Sequence, residues 1–249
     1  AEPVCVAATT PLIDETGLVE THGHADPRVW LVENPGFVSG GSVSWFVETM
    51  GGGASAAELD ADAAGATGPG ADGVTFLPTL SGATAPRWND RARGVYAGLS
   101  LNHGRAHLFR ALLEGCTFAL RDIVDRLDAM GLAGDEIRVV GGGARSSMWL
   151  QMKADVTGRT VRVMASDEST ALGAAMLAGV GAGTFAGLDE AVERLAMLEP
   201  NAYEPDPATA AAYEDAYGRY RALFDAVEPG FAAGDTAAAA ERAATGAPA

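Results

Sequence analysis

Three consecutive glycines, Gly141-Gly142-Gly143, lie between a short apolar run and a stretch of helical character, and this unit constrains the fold more than any other. The apolar run from Ile137 to Val140 predicts a strand, and Ser146 or Ser147 predicts the N-cap of a helix that extends to about Thr157. Glycine lets another group approach the backbone closely. The unit therefore predicts a strand, a turn and a helix, with the turn either tightly packed or open to a ligand.

The start of such a helix favours a phosphate or a ribose oxygen, because its free amides point outward. Two common nucleotide motifs are excluded at this turn. A Walker loop would place a Lys-Ser or Lys-Thr pair after the glycines, and a dinucleotide fold would keep the G-x-G-x-x-G spacing. A second unit of small residues, Asp167 to Ala175, opens a helix with an acidic first turn and is more typical of tight helix packing.

Strands alternate with helices along most of the chain. Apolar residues from Leu108 to Met130 recur every three or four positions and predict a long helix that ends at Gly131 and Gly134. Other predicted strands are Val4–Ala7, Val29–Val32, Val74–Pro78, Val95–Leu99 and Val161–Met164, and other predicted helices are Val43–Met50, Ala54–Ala66, Ser169–Gly181, Leu188–Leu195 and Ala208–Val227. We predict an α/β fold with a parallel or mixed sheet covered on both faces.

The charge balance excludes several classes of partner. The chain has 33 acidic and 17 basic residues and a formal net charge of -16, which would repel nucleic acid and anionic membrane surfaces. Cys5 and Cys116 are not spaced as metal ligands, and alternate residues of His22-Gly23-His24 would point to opposite faces of a strand. We predict a cytoplasmic protein with no metal site built from its own side chains.

Composition also divides the chain. Residues 1–230 are predicted to form one domain, and residues 231–249 are predicted to be an Ala-rich, disordered tail with few large apolar groups to bury. The sequence begins without an initiator Met and runs directly into a strand-like stretch. We expect the chain to be part of a longer polypeptide.

Several segments resemble one family in the same order as its members. Gly141 to Trp149 and Gln151 to Gly158 look like the adenosine-binding motif of FGGY carbohydrate kinases, bacterial xylulokinases above all. Glu168 to Met176 fits the helix that follows in that family. The remaining matches are Phe76–Gly82, Ala85-Pro86, Gly94–Leu99, His107-Leu108 and Ala111–Glu114. Together the resemblance covers roughly residues 1–225.

The resemblance implies a ribonuclease-H-like, actin-type ATPase domain, with ATP and Mg²⁺ in a cleft shared with an N-terminal kinase domain. Gly142, Gly143 and Ala144 would pack against adenine and ribose, Gly141 would shape the turn, and Ser147 would offer a polar contact. In the family the catalytic base is an Asp in a Gly-Asp-Gln or Gly-Asp-Asn run, and neither run occurs in this sequence. We therefore assign no catalytic residue and expect the isolated chain to be inactive.

Three functions follow from the resemblance. The first is ATP-dependent phosphorylation of a sugar, D-xylulose or a related ketopentose or polyol. The second is a glycerol-type kinase, because Ala83-Thr84-Ala85 departs from the xylulokinase pattern and Ala85 to Asp90 resembles glycerol kinases. The third is a non-catalytic, actin-like module that binds nucleotide or a protein. Implied partners are the sugar, ATP, the N-terminal kinase domain and a second copy in a homodimer.

Overall fold

A computed structural model of the chain describes residues 2–132 and 134–245, with side chains up to residue 231. The strands in these residues are β1 (Glu2–Ala8), β2 (Glu20–Gly23), β3 (Trp30–Phe37), β4 (Thr75–Leu77), β5 (Val95–Ala97), β6 (Glu136–Val139), β7 (Thr160–Met164) and β8 (Leu198–Tyr203). The helices are α1 (Gly40–Met50), α2 (Ala56–Ala66), α3 (Arg105–Ala129), α4 (Ser147–Thr157), α5 (Ser169–Gly181), α6 (Leu188–Leu195) and α7 (Pro207–Thr245). The predicted alternation of strands and helices is confirmed.

The strands form three sheets. One has the order β1-β3-β2 with antiparallel pairs, and a two-stranded ladder joins β4 to β5. In the third, β6 pairs in parallel with β7, and β7 pairs antiparallel with β8. The predicted mixed sheet is therefore present. Strands β2 and β8 were not predicted, because the first is polar and the second contains Pro200.

Helix α3 is the centre of the fold. Every residue from Phe109 to Leu120 is buried, so the helix is enclosed on all sides rather than along one face. Helices α1, α2, α4 and α7 and strand β4 pack around it. The helix ends where Gly131, at φ +78°, lets the Leu132 amide bond the Leu127 carbonyl at 2.9 Å, and this confirms the predicted glycine stop.

A buried ion pair fastens α3 to its neighbours. Arg110 Nε lies 3.0 Å from Glu114 Oε1, and Glu114 also accepts a hydrogen bond from the Gly70 amide at 2.9 Å. Arg110 in turn donates to the Tyr213 hydroxyl on α7 at 3.0 Å and to the Thr67 carbonyl at 3.2 Å. Burial raises the pKa of Glu114 to about 7. The pair joins α3, the loop after α2 and α7 in one network.

Helix α7 continues past the predicted end at Val227. Its backbone is helical to Thr245, although Pro229 lies within it. The predicted disordered tail, residues 231–249, falls mostly on positions whose side chains lie outside the described part, and it stays a prediction. Among the residues described, no helix is both long and apolar enough to cross a bilayer.

Replacement of Gly115 tests the packing of α3. A Cβ on Gly115 would lie 2.2 Å from the Phe76 carbonyl oxygen of β4, so Gly115→Ala must push the helix from the strand. We expect a loss of about 1–3 kcal/mol in the free energy of unfolding. Urea denaturation measures this loss. The matched control is Gly218→Ala in α7, where no atom lies within 4 Å of the new Cβ and a gain of about 0.5–1 kcal/mol is expected.

Candidate functional site

The glycine turn connects β6 to α4 through a short 3₁₀ segment, Gly142–Arg145. Gly141 adopts φ +77° and ψ -162°, a conformation that side chains other than hydrogen disfavour. Of the two candidate N-caps, Ser146 is the one used: its Oγ accepts a hydrogen bond from the Trp149 amide at 3.0 Å. Ser147 is the exposed first residue of the helix.

The glycines at this turn are not required for packing within the chain. A Cβ at Gly141 or Gly142 would meet no atom within 4 Å, and one at Gly143 would lie 3.5 Å from the Trp149 ring, an ordinary contact. Only Gly141 has a conformational reason to be glycine. The space beside Gly142 and Gly143 therefore favours the ligand-binding interpretation over tight packing.

Two buried side chains form the floor beneath the turn. The Trp149 indole donates to Thr117 Oγ1 of α3 at 3.0 Å, which fixes the ring. The Lys153 ammonium lies 4.7 Å from the centre of that ring and pairs with the Glu2 carboxylate at the start of β1. A Cβ on Gly143 would lie 3.9 Å from Lys153 Nζ. A buried lysine, paired with a glutamate, thus lies directly under the open turn.

The turn borders a cleft of about 1380 Å³. The cleft is also lined by β1, the start of α1, Asp60 of α2, Lys153, and the residues Asp167 to Thr170 before and at the start of α5. Of the predicted site residues, Gly141, Gly142 and Gly143 line it. Ala144 instead packs against the apolar cluster around Val139 and Leu150, and Ser147 is exposed outside the lining.

Sequence reasoning missed three residues of this site. Asp60 and Glu2 belong to elements with no motif of their own and approach the turn only in the folded chain, whereas Lys153 lies within the segment that resembles the family motif but was given no role there. Burial raises the pKa of Asp60, and its hydrogen bond with Ser146 opposes that rise. The cleft therefore carries acidic as well as basic groups beside the glycines.

Other polar residues have structural partners. Asp155 accepts hydrogen bonds from the Gln151 side chain at 2.7 Å and from the Asp206 amide at 2.9 Å. His22 lies 3.3 Å from Glu20 and 3.5 Å from Glu33. In the part of the chain that is described, no group of three or more His, Cys, Asp or Glu side chains could hold a metal ion.

Comparison with known proteins identifies the family. The C-terminal domain model of the FGGY family of carbohydrate kinases matches residues 3–182. The chain belongs to this family. FGGY kinases have the actin-like, ribonuclease-H-type ATPase fold, so the predicted fold class and the predicted resemblance are both confirmed. ATP is the phosphoryl donor of the family.

Relatives of this FGGY chain include kinases for two substrates. It is 43% identical to the glycerol kinase of Geobacter sp. (strain M21) over 157 residues, 63% of this chain and 31% of that kinase. It is 30% identical to the xylulose kinase of Lactococcus lactis over 221 residues, 88% of this chain and 44% of that kinase. The crystal structure of xylulose kinase from Rhodospirillum rubrum matches with a TM-score of 0.77 and 34% identity, covering 92% of this chain and 46% of that one. The FGGY chain spans less than half the length of these relatives.

The N-cap of α4 provides a test of how the turn is held. Ser146→Ala removes the cap of the Trp149 amide and the bond to Asp60, so we expect a loss of about 1 kcal/mol in the free energy of unfolding. Ser147→Ala is the matched control, with an expected change within about 0.5 kcal/mol because Ser147 is exposed. Chemical denaturation distinguishes them. Equal losses in the two variants would contradict the assignment of the cap.

Proposed function

We propose that this chain is the C-terminal, nucleotide-binding half of an ATP-dependent sugar kinase that phosphorylates D-xylulose or a related ketopentose or polyol. The observation that supports this most is the glycine turn, which is open to ligand on one side and has the buried Lys153 ammonium beneath it. A Cβ at Gly142 would meet no atom within 4 Å and one at Gly143 only an ordinary contact, so the turn leaves room for the flat base and the ribose of a nucleotide.

The residues at the turn are placed to contact the nucleoside part of such a ligand. Gly142 and Gly143 would lie against adenine and ribose, in the space where a side chain would otherwise project. Gly141 and Ala144 would hold the turn in shape, the first through its positive φ and the second through its apolar contacts. Ser147 is exposed at the start of α4 and would offer a polar contact from outside the cleft lining.

Catalysis of phosphoryl transfer depends mainly on positioning the reactants and on neutralising the charge of the phosphate oxygens. Bound ATP supplies the phosphoryl group, with Mg²⁺ to neutralise its oxygens. The role of this chain is to bind and orient the nucleotide, and Lys153, held by Glu2, supports the Trp149 ring beneath the turn. A carboxylate base for the sugar hydroxyl would come from the N-terminal kinase domain, which we propose as the obligatory partner. Pairing of two copies as a homodimer, and a cytoplasmic location, belong to the same proposal.

The choice of sugar rests on the extent of similarity. The match to the Lactococcus lactis xylulose kinase extends over 88% of this chain, whereas the more identical match to the Geobacter glycerol kinase extends over 63%. We therefore place a ketopentose first. A glycerol-type kinase is the second candidate, supported by that higher identity and by the segment Ala85 to Asp90.

Substitution of Gly143 tests nucleotide binding. Gly143→Asp places a carboxylate beside Trp149 and in the space proposed for the nucleoside, where it would also repel phosphates. We expect MgATP and MgADP to bind at least about tenfold more weakly, or about 1.4 kcal/mol, in calorimetric titration. Gly218→Asp is the control, because it adds the same charge at an exposed site on α7. Unchanged binding by a folded Gly143→Asp variant would contradict the proposed site.

The chain alone is expected to transfer no phosphate. Without a positioned base and the other wall of the cleft, neither the sugar hydroxyl nor the γ-phosphate is held for reaction. The measurement is ADP release from MgATP with xylulose or with glycerol, with the full-length Rhodospirillum rubrum xylulose kinase as positive control. Sugar-dependent turnover by the purified chain would show that the assignment of catalysis to another domain is wrong.

A further inference from the structure

A second pocket lies between helices α5 and α6 and the loop that joins β2 to β3. Its volume is about 470 Å³, and none of its lining residues lines the larger cleft. Cavities that hold small organic molecules measure about 300–1,000 Å³. The pocket therefore has the volume for one small ligand, at a place separate from the glycine turn.

Most of the lining is apolar. The side chains that contribute hydrocarbon are Ala25 from the loop, Met176 and Leu177 from α5, and Leu188 and Val192 from α6. Met176 is buried, whereas Leu177 and Val192 remain about half exposed. Methionine is flexible and polarisable, so it adapts to an aromatic or branched apolar group. The lining thus suits hydrocarbon rather than a hydrated ion.

Gly173 leaves room beside this lining. It lies in the interior of α5, where glycine destabilises a helix relative to alanine. A Cβ added to it would meet no atom within 4 Å, and its φ does not lie in the left-handed region. Neither packing within the described chain nor backbone conformation therefore requires a glycine here. As at Gly142, the missing side chain leaves space for a ligand.

The charged groups at the pocket are acidic. Asp26, Asp189 and Glu193 line it, and no lysine or arginine is among the described residues that do. Arg28 lies 2.9 Å from both Asp26 and Asp189, so this arginine ties the loop to the start of α6 and offsets part of the charge. Glu193 has no hydrogen-bond or ion-pair partner among the described side chains. The pocket therefore has an unpaired carboxylate beside its apolar lining.

We propose that this pocket binds a small amphipathic cation: an aryl or branched alkyl group between α5 and α6, attached to an ammonium group that pairs with Glu193. An anionic ligand would meet three carboxylates and one arginine that already has two partners. A purely apolar ligand would gain the hydrocarbon contacts but no ion pair. The net charge of -16 attracts cations to the whole surface, and the pocket adds the apolar contacts that select an amphipathic one.

The pocket and the cleft share helix α5. Ser169 and Thr170 at its start line the cleft, and Gly173, one turn further on, lines the pocket. A cation in the pocket would therefore contact a helix that borders the proposed nucleotide site. The inference does not depend on that site, because it rests on a different set of residues.

Titration followed by NMR chemical shifts tests the pocket. The probes are phenethylamine, its neutral analogue 2-phenylethanol and the anion 3-phenylpropionate, at neutral pH and in about 0.15 M salt to screen charges outside the pocket. We expect phenethylamine to shift the amides of residues 24–26, 173–177 and 188–193 until they saturate. Its affinity should be about two- to fivefold higher than that of 2-phenylethanol, as for an exposed ion pair. 3-Phenylpropionate should produce no saturable shift.

Two pairs of variants identify the groups that bind. Gly173→Leu fills the space in the pocket and should weaken phenethylamine binding at least about tenfold. Gly181→Leu, at the last residue of the same helix, is its control and should bind as wild type, because a Cβ there also meets no atom within 4 Å. Glu193→Gln should abolish the preference for the amine over 2-phenylethanol. Glu48→Gln removes the same charge from an exposed position of α1 and should leave that preference unchanged.

Several results would overturn the proposal. These are the absence of a saturable shift with any probe, equal binding of all three probes, and wild-type binding by a folded Gly173→Leu chain. Equal effects of Glu193→Gln and Glu48→Gln would show that the amine responds to net charge alone and not to the pocket. Shifts of the same amides that grow with protein concentration, without a probe, would overturn it by assigning the surface to a second copy of the chain.

Discussion

The burial of α3 on every side is the constraint on which the rest of the structure depends. A helix enclosed along Phe109 to Leu120 needs a packing partner in each direction, and the chain supplies a different kind for each. Strand β4 contacts its backbone at Gly115, and α7 meets it through Tyr213 and Arg110. Helix α4 is joined to it by the bond between Trp149 and Thr117. On the side toward the cleft, Leu113 and Leu120 of the helix are among the lining residues.

The candidate site takes its shape from this arrangement. Because Trp149 is held by a residue of α3, the ring and the lysine stacked on it have fixed positions beneath the glycines. The turn itself makes few contacts that require glycine. A Cβ at Gly141 or Gly142 would meet no atom within 4 Å, so the turn is open above the floor that α3 and α4 provide. Rigid support below an open backbone is suited to binding a ligand without rearrangement.

Sequence patterns identified most of the helices, because burial of one face makes apolar residues recur every three or four positions. Helices α5 and α6 begin and end where the pattern placed them, and the run of three glycines between a strand and a helix predicted the turn. Strands β2 and β8 were not predicted, because β2 is a short polar run and β8 contains a proline, so neither shows strand periodicity. Only pairing along a sheet edge makes them strands. Lys153 and Asp60 could not be assigned to the site, since their position there depends on contacts with Glu2 and Ser146, far away in the sequence.

The carboxyl group of Glu114, within the buried ion pair, contributes proton uptake to the folding reaction. Glu114 titrates near its ordinary value of 4.5 when the chain is unfolded and near 7 when it is buried beside Arg110, so the native state holds this proton more tightly. The contribution of Glu114 to the free energy of unfolding is therefore greatest below pH 4.5. It declines as the pH rises toward 7 and is constant above that pH. A carboxyl group at the centre of the fold thus makes the stability of the domain depend on the pH of the solution.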